Sequence, residues 1–181
     1  TYFVPLGQHF EYWLLRLTNE RGISRRLSVF TYCEFTNQWD TQQDQVNLQY
    51  SLFIVKGEKV QDDLLRIAIQ DNLSGRAVSL ESGDIGMHSW MALAGAPLTG
   101  YDTSRAAFLG TYGSYQNPAA VARGCCSNSN AYGDNACGSM QTDVELQPGE
   151  SVELLVLLGI GEARTIGQST FARFGTIERA K

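Results

Sequence analysis

A strict period-two alternation near the carboxyl end constrains the fold more than any other feature of the sequence. From Met140 to Leu146, apolar side chains and one threonine occupy the even positions and polar side chains occupy the odd ones. This alternation predicts a half-buried β-strand. Residues 147–150 read QPGE and place proline and glycine in the middle of a turn. The return strand, Val152–Leu158, is apolar on both faces, so we expect it in the interior of a sheet.

Further strands are expected in the first half of the chain. Phe10–Thr18 and Leu27–Phe35 are rich in bulky, alternating side chains, and the polar reversal at Asn19–Gly22 predicts that they pair as an antiparallel hairpin. Both faces of Leu27–Phe35 are bulky, so we expect both to be covered, with Cys33 as a small buried residue. Strand patterns also occur at 47–55, Leu64–Ile69 and Trp90–Ala94. Many strands, polar turns and no long helix predict an all-β fold, an antiparallel β-sandwich.

One long stretch, Tyr101–Gln141, departs from the strand pattern. It holds three of the four cysteines and four of the eight tyrosines, but no lysine or glutamate. Disordered segments favour charge and avoid aromatic side chains, so we expect an ordered loop system. The spacing of Cys125, Cys126 and Cys137 matches no common zinc pattern, which favours reduced thiols over a metal site. The role of these three cysteines stays open at this point.

The charge balance and the start of the chain narrow the range of partners. The formal net charge is −5. The basic cluster of Arg21, Arg25 and Arg26 is too small to follow a nucleic-acid backbone and is expected to be a solvated strand end. No apolar run approaches the roughly 18–20 residues that cross a bilayer, so neither a nucleic acid nor a membrane is expected as a partner. The chain opens on TYFVPL, which looks like a strand, and we expect it to be cut from a larger protein.

Several chemical signatures are missing from the sequence. There is no glycine-rich phosphate loop. The two histidines, His9 and His88, have no nucleophile motif beside them, so neither a bound cofactor nor a catalytic triad is expected. Glu34, Asp40 and Asp44 could form a carboxylate pair or could be solvated acids at a strand end.

The segment Asn37–Tyr50 is rich in amides and aromatic rings. Amides both donate and accept hydrogen bonds with hydroxyl groups, and aromatic faces cover the C–H faces of pyranose rings. This composition suits a sugar ligand, although a plain surface loop would look similar.

An ordered series of segments carries a family resemblance along nearly the whole chain. The series comprises YFVPLGQHFEYWLLRLTN, RRLSVFTYCEF, DQVNLQYS, the stretch Tyr101–Gln141 and LQPGESVELLVLLG. It resembles the N-terminal β-sandwich domain of the inverting disaccharide phosphorylases, the cellobiose and cellodextrin phosphorylase group formerly classed as glycosyltransferase family 36. The resemblance is weakest at 56–89 and after Glu162. The form GCCSNS…GDNACG looks closer to cellodextrin than to cellobiose phosphorylases.

The resemblance implies a fold and a division into domains. The expected fold is a large antiparallel supersandwich, similar to galactose mutarotase-like domains, over residues 1–162. Residues 163–181, where the strand pattern is lost, would begin a linker toward an (α/α)6 catalytic barrel that this chain lacks. The family's general acid and phosphate-binding groups lie on that barrel. No residue of this chain is therefore assigned as catalytic, and we expect the chain by itself to be inactive.

The resemblance also implies an activity for the whole enzyme. Members cleave a β-glucosidic bond with inorganic phosphate as co-substrate, and they invert the anomeric centre to give α-glucose 1-phosphate. We accordingly expect a cytoplasmic homodimer that acts on a β-glucan oligosaccharide without a cofactor. The sandwich domain would support the dimer and the acceptor side of the active site.

A short segment is expected to touch the substrate. In the family, an Asn–Tyr–Gln–Arg pattern reaches the active site of the partner subunit, and this chain has Asn47, Leu48, Gln49 and Tyr50 at that place. Asn47 and Gln49 match the pattern. Tyr50 replaces the arginine and would favour stacking on a longer glucan over a charged contact. The resemblance thus assigns Gln49, Tyr50 and Asn47 as substrate-binding residues.

Two alternative functions remain open. A stand-alone carbohydrate-binding module would need an exposed aromatic platform, for which the candidates are Trp39, Tyr50, Tyr112 and Tyr115. A purely structural dimerisation domain would need a large interface with an apolar centre. The long stretch 101–141 is expected to shape the domain and its interfaces through residues such as Asp102, Arg105 and Asn128.

Overall fold

The described part of the chain covers most of the sequence. A computed structural model describes residues 1–35, 55–61, 63–69, 88–133 and 135–181. Of the predicted strand at 47–55, only Val55 is among them, and the amide-rich segment Asn37–Tyr50 lies outside the described residues. Among the described residues, no helix is both long and apolar enough to span a membrane.

Two antiparallel sheets form the body of the described structure. Their strands are β1 (Tyr2–Phe3), β2 (Phe10–Thr18), β3 (Arg25–Phe30), β4 (Cys33–Glu34), β5 (Val55–Gln61), β6 (Leu64–Ile69), β7 (His88–Ala94), β8 (Gly100–Ser104), β9 (Ala131–Tyr132), β10 (Ala136–Leu146) and β11 (Ser151–Ile160). The seven-stranded sheet has the order β1-β2-β11-β7-β6-β5-β9. In the four-stranded sheet, β3 and β4 pair with one side of β10 and β8 pairs with the other. The predicted all-β sandwich is confirmed.

Short helices lie in the long stretch and at the carboxyl end. They are α1 (Arg105–Leu109), α2 (Ala119–Arg123), α3 (Gln168–Phe174) and α4 (Ile177–Ala180), preceded at Ala163–Gly167 by a turn of π-helix. The stretch predicted to be an ordered loop system therefore contains regular elements. Its two ends, β8 and β10, pair with each other, and the irregular part is confined to its middle.

The predicted hairpin between Phe10–Thr18 and Leu27–Phe35 is wrong. β2 pairs with β11 in the seven-stranded sheet, whereas β3 pairs with β10 in the other sheet. The polar reversal after Thr18 therefore crosses the sandwich, and the turn at 147–150 crosses it in the opposite direction. Turn composition shows where a chain reverses, but it does not show whether the next strand joins the same sheet.

Asn19 joins these two crossings. Its side chain is only 5% exposed, and its Nδ2 donates to the carbonyl oxygens of Ile23 (2.8 Å) and Leu146 (2.9 Å). Its backbone N–H donates to Glu150 O at 2.9 Å, and its carbonyl accepts from Gly149 N at 2.8 Å. One buried amide thus holds together two chain segments that pass between the sheets side by side.

The strand predicted at Leu27–Phe35 exists, but it is interrupted and partly open. β3 and β4 keep one register against β10, with Phe30 opposite Gln141 and Cys33 opposite Gly138. Residues 25–28 are exposed, so the prediction that both faces are covered is wrong. Among the described residues, β3 has a pairing partner on one side only and therefore lies at an edge of its sheet. Cys33 is half-buried against the core.

Hydrophobic clusters lie on both faces of the seven-stranded sheet. The cluster between the sheets contains Leu65, Met91, Leu93, Met140 and Val156, among others. The cluster on the outer face contains Phe10, Tyr12, Leu64, Trp90, Leu155 and Leu157, with Ala163 and Ala180 from the carboxyl-terminal segment. β11 contributes to both, which confirms its predicted interior position. Each large apolar side chain buried in this way stabilises the fold by roughly 1.5–3 kcal/mol.

The carboxyl-terminal segment packs against the seven-stranded sheet. The Tyr12 hydroxyl donates to Phe174 O at 2.8 Å, and Phe171, Phe174 and Ile177 pack on the outer cluster. At the start of the segment, Arg66 binds Glu162 through Nε to Oε1 (2.9 Å) and Nη2 to Oε2 (3.1 Å). The predicted loss of strand pattern in this segment is confirmed. The domain boundary at 162 stays a prediction.

Candidate functional site

The residues that the family resemblance assigned to substrate lie outside the described residues. This applies to Asn47, Gln49 and Tyr50. The candidate aromatic Trp39 and the candidate acids Asp40 and Asp44 also lie there. The described residues do contain the whole of the long stretch 101–141 except Asp134. Residues of this stretch take part in two arrangements of hydrogen-bonded polar side chains.

The first arrangement is centred on Asp102, a residue of β8 with no exposed surface. Its Oδ1 accepts hydrogen bonds from the hydroxyl groups of Ser127 and Ser129, each at 2.7 Å, and from their backbone N–H groups at 3.1 and 3.0 Å. Asn128 between them adopts a φ of 57°, and its Oδ1 accepts from Tyr101 N at 3.1 Å. A buried carboxylate is tolerated only when hydrogen bonds replace water, so Asp102 fixes the path of residues 127–129.

The cysteines of the long stretch are packing residues or surface residues. All four cysteines of the chain are unpaired; Cys126 and Cys137 are buried and Cys125 is exposed. Burial, reinforced by the nearby Asp102 charge, raises the pKa of Cys126 to about 12 and also raises the pKa of Cys137. Such thiols stay protonated at neutral pH, and a protonated thiol is neither a nucleophile nor a metal ligand. Within the described ranges, no group of three or more side chains could hold a metal ion.

The second arrangement is a half-exposed group of four side chains that we call the Glu34 cluster: Tyr32, Glu34, Arg105 and Tyr115. Glu34 Oε1 accepts from the Tyr32 hydroxyl at 2.6 Å, the Tyr115 hydroxyl at 2.7 Å and Arg105 Nε at 2.7 Å. Arg105 Nη2 also donates to the Tyr115 hydroxyl at 3.2 Å, and the guanidinium carbon lies 5.6 Å from the centre of the Tyr115 ring. The Tyr32 ring stacks on Phe108 with the ring centroids 4.8 Å apart.

The Glu34 cluster holds its carboxylate ionised. Partial burial would raise the pKa of Glu34, but hydrogen bonds from Tyr32, Tyr115 and Arg105 outweigh burial and keep the pKa below its ordinary value of 4.5. Burial and the hydrogen bond to Glu34 raise the pKa of Tyr32. A general acid needs a raised carboxyl pKa. The structure therefore argues against Glu34 as a proton donor. Glu34 is also not the solvated acid that the alternative interpretation predicted, because it forms an ion pair with Arg105.

The loop between α1 and α2 projects into solvent beside this cluster. Residues 111–117 read TYGSYQN and are all exposed, with Tyr112 at 100% and Tyr115 at 59%. The loop is held by hydrogen bonds from Gly113 N to Gly110 O and from Asn117 N to Ser114 O, both 3.1 Å. The sequence had singled out Tyr112 and Tyr115 as candidates for an aromatic platform, and both are exposed as that hypothesis requires.

Comparison with known proteins places this architecture in a family. Residues 1–177 match the family described as "Glycosyl hydrolase 94, supersandwich domain". The match covers almost the whole chain, including both sheets and the two polar arrangements. The chain belongs to this family. The resemblance to the sandwich domain of disaccharide phosphorylases is thereby confirmed, while its narrower cellobiose and cellodextrin assignment is not.

Three relatives are similar to this chain over most of its length. The N,N'-diacetylchitobiose phosphorylase of Vibrio furnissii is 33% identical over 162 residues, which are 90% of this chain and 19% of the relative. A solabiose phosphorylase of Paenibacillus borealis is 29% identical over 163 residues, 88% of this chain and 19% of the relative. A 3-O-beta-D-glucopyranosyl-beta-D-glucuronide phosphorylase of the same organism is 30% identical over 158 residues, 82% of this chain and 18% of the relative. The chain thus spans about a fifth of the length of these relatives.

Within this GH94 supersandwich domain, the Asp102 arrangement and the Glu34 cluster have different structural roles. Asp102 itself is fully buried, and through Ser127 and Ser129 it shapes the loop that runs from α2 to β9. The Glu34 cluster reaches the surface and joins β4 to α1 across a separation of 71 residues between Glu34 and Arg105. No local sequence pattern predicts a contact over such a separation, so the sequence indicated Glu34 and Arg105 as separate residues and did not indicate that they pair.

Proposed function

We propose that this chain is the sandwich domain of a larger enzyme that cleaves a β-linked disaccharide or short β-glucan with inorganic phosphate. The observation that carries the proposal is the family match over residues 1–177. The relatives described above support it, because each is named as a phosphorylase of a disaccharide or glycoside. In such an enzyme, phosphate attacks the anomeric carbon while a carboxylic acid protonates the leaving oxygen, and the product is a sugar 1-phosphate of inverted configuration.

The general acid of this reaction would lie outside the present chain. Two carboxylates of the described structure, Glu34 and Glu162, are bound by Arg105 and Arg66 respectively. For Glu162, as for Glu34, burial would raise the pKa, but the hydrogen bond and charge of the arginine lower it below the ordinary value. Neither group is suited to donate a proton at neutral pH, which agrees with a catalytic acid on a separate barrel domain.

The domain's own contribution would be to the dimer and to the acceptor side of the active site. We infer this role from the family resemblance, with Asn47, Gln49 and Tyr50 as the residues that reach the substrate of the partner subunit. Because Tyr50 stands where the family pattern has arginine, a cellodextrin is the proposed acceptor, with cellobiose as the shorter alternative. The four unpaired thiols suit a reducing compartment, and we propose a cytoplasmic homodimer without a bound cofactor.

Phosphorolysis by the whole enzyme tests the proposed function. The full-length protein is incubated with phosphate and, separately, cellobiose, cellotetraose and N,N'-diacetylchitobiose, and sugar 1-phosphate release is measured. We expect release from at least one β-linked substrate, with cellotetraose ahead of cellobiose. Release from none of these substrates, or release that does not depend on phosphate, contradicts the proposal. The 181-residue chain, tested alone, is expected to release nothing.

A second candidate, carbohydrate binding by this chain itself, is favoured by a specific observation. Tyr112 and Tyr115 are exposed in one short loop, and Tyr115 bonds to the anchored carboxylate of Glu34, whereas most large aromatic side chains of the described residues pack into the clusters of the sandwich. Such binding is compatible with a role inside a larger phosphorylase. The dimer proposal is tested apart from it, by light scattering of the whole enzyme, where a stable interface should bury more than about 1,000 Å².

A further inference from the structure

The hydrogen bonds of the Glu34 cluster are distributed unevenly over its atoms. Oε1 of Glu34 accepts three hydrogen bonds, from Tyr32, Arg105 and Tyr115. In the part of the chain that the structure describes, Oε2 of Glu34 accepts none, and Nη1 of Arg105 donates none. The Glu34 and Arg105 side chains are 39% and 36% exposed. The cluster therefore presents one unused acceptor and one unused pair of N–H donors from two side chains in direct contact.

This combination of groups selects a class of ligand. A carboxylate oxygen beside a guanidinium nitrogen offers an acceptor and a donor, which match two neighbouring hydroxyl groups of a pyranose ring. The ion pair is close to neutral as a whole, so it favours neither an anion nor a cation. Hydrogen bonds to charged groups are stronger than those between neutral groups, so even a half-exposed pair can bind hydroxyl groups.

Tyr115 brings an aromatic ring into contact with the pair, and Tyr112 adds a second exposed ring in the same loop. Tyr112 is fully exposed and lies three residues before Tyr115 in a loop without a charged side chain. Tyrosine rings bury large areas with few rotatable bonds, and their faces cover the C–H faces of sugars. Tyr115 is held in place by Glu34 and Arg105. Because this ring is already ordered, little additional conformational entropy is lost when a ligand binds.

We infer that Glu34, Arg105, Tyr112 and Tyr115 form a binding site for a pyranose ring of a neutral oligosaccharide. This site uses none of the residues Asn47, Gln49 and Tyr50, and its ligand class rests on the proposed function. Glu34 and Arg105 bind adjacent hydroxyl groups, and the tyrosines cover the ring. Tyr32 and Phe108 support the site from within the domain, since their rings stack beneath Glu34.

The site is tested by titrating the isotope-labelled 181-residue chain with cellotetraose and, in parallel, with N,N'-diacetylchitobiose, while backbone amide resonances are followed. We expect saturable shifts centred on residues 32–34, 105 and 111–117. Tyr112→Ala should weaken binding about tenfold, in the range reported for losing one strong polar or aromatic contact. This variant is expected to fold, because the side chain is fully exposed. Glu34→Gln should weaken binding by a similar factor, and an unchanged amide spectrum elsewhere would show that its fold is intact.

Tyr132→Ala is the matched control. Tyr132 is also an exposed tyrosine, at 63%, and a lysine, Lys56, lies 5.7 Å from its ring centre, but it belongs to β9 and not to the cluster. Its removal should leave the affinity unchanged. Shifts that map away from the cluster, or equal affinity of the wild-type chain and the Tyr112→Ala variant, overturn the inference.

Three further outcomes are distinguishable. If resonances of 111–117 move with protein concentration in the absence of sugar, the surface binds a second copy of the chain, and the sugar site is rejected. If the chain binds no sugar while the full-length protein still releases sugar 1-phosphate, the site fails and the proposed function stands. If the chain binds sugar while the full-length protein releases no sugar 1-phosphate, the site stands and the proposed function fails.

Discussion

Asp102 and Glu34 show how much of this domain depends on single polar residues. Asp102 is buried and forms no ion pair among the described residues, so hydrogen bonds from Ser127 and Ser129 take the place of water. Glu34 is half-exposed and keeps its charge through Arg105 and two tyrosine hydroxyls. The first carboxylate orders a loop from inside, and the second organises a surface. Residue type alone does not separate these two roles, because the environment of each carboxylate decides them.

Acidification should weaken the chain through Glu34. Its pKa in the folded state lies below the ordinary value of 4.5, so its contribution to stability is complete above about pH 4.5 and is lost as the pH falls through the folded-state pKa. We expect the melting temperature of the wild-type chain to exceed that of Glu34→Gln at pH 7. The difference should shrink toward pH 3, as followed by circular dichroism at intervals between these values. A difference that stays constant over this range would show that the carboxylate charge contributes nothing.

At the scale of elements, the chain is organised by its crossings between sheets. β2 continues into β3, and β10 into β11, yet neither pair shares a sheet. The two crossings lie together because Asn19 bonds to Leu146 and Glu150 from the other end of the sequence. The alternation of apolar and polar side chains along a strand is the same whether the next strand joins the same sheet or the opposite one, so it does not predict these crossings.

Replacing Asn19 by alanine should loosen both crossings together. The change leaves the buried carbonyl group of Leu146 without its Asn19 donor and also removes the bond to Ile23 O, and an unsatisfied buried group costs about 1–3 kcal/mol. We expect a loss of that size in the free energy of unfolding in urea, with faster amide exchange at residues 19–24 and 147–150. Asn117→Ala is the control, because Asn117 is an exposed loop residue whose bond to Ser114 uses its backbone N–H. Equal stability of both variants would show that Asn19 does not join the crossings.

At the scale of the whole molecule, the carboxyl-terminal segment is part of the packed body of the described structure. It covers the outer face of the seven-stranded sheet with Phe171, Phe174 and Ile177, and the Arg66–Glu162 pair secures its start. The segment expected to begin a linker thus has a structural role within this chain.

Truncation after Glu162 tests whether the domain ends there. Removing residues 163–181 would uncover Phe10, Tyr12 and Trp90, each of which contributes roughly 1.5–3 kcal/mol when fully buried. We expect a lower urea midpoint and binding of a hydrophobic dye. A control truncation that removes only Lys181, which is exposed and bound to Glu153, should change little. If the chain ending at 162 is as stable as the full chain, the predicted boundary is correct and the segment is dispensable.

The sequence by itself determined most of the strands, the interior position of β11 and the family, because these depend on local periodicity and on ordered motifs; it did not predict β8 and β9, which lie in the irregular stretch. It also pointed to Asp102, Arg105, Asn128, Tyr112 and Tyr115 as notable members of one stretch. It could not assign their partners. Strand pairing depends on contacts between residues that are far apart in the sequence. Glu34 and Arg105 are separated by 71 positions, and Asn19 and Leu146 by 127. Only the tertiary structure decides such contacts, since they follow from the closure of the two sheets around a common core.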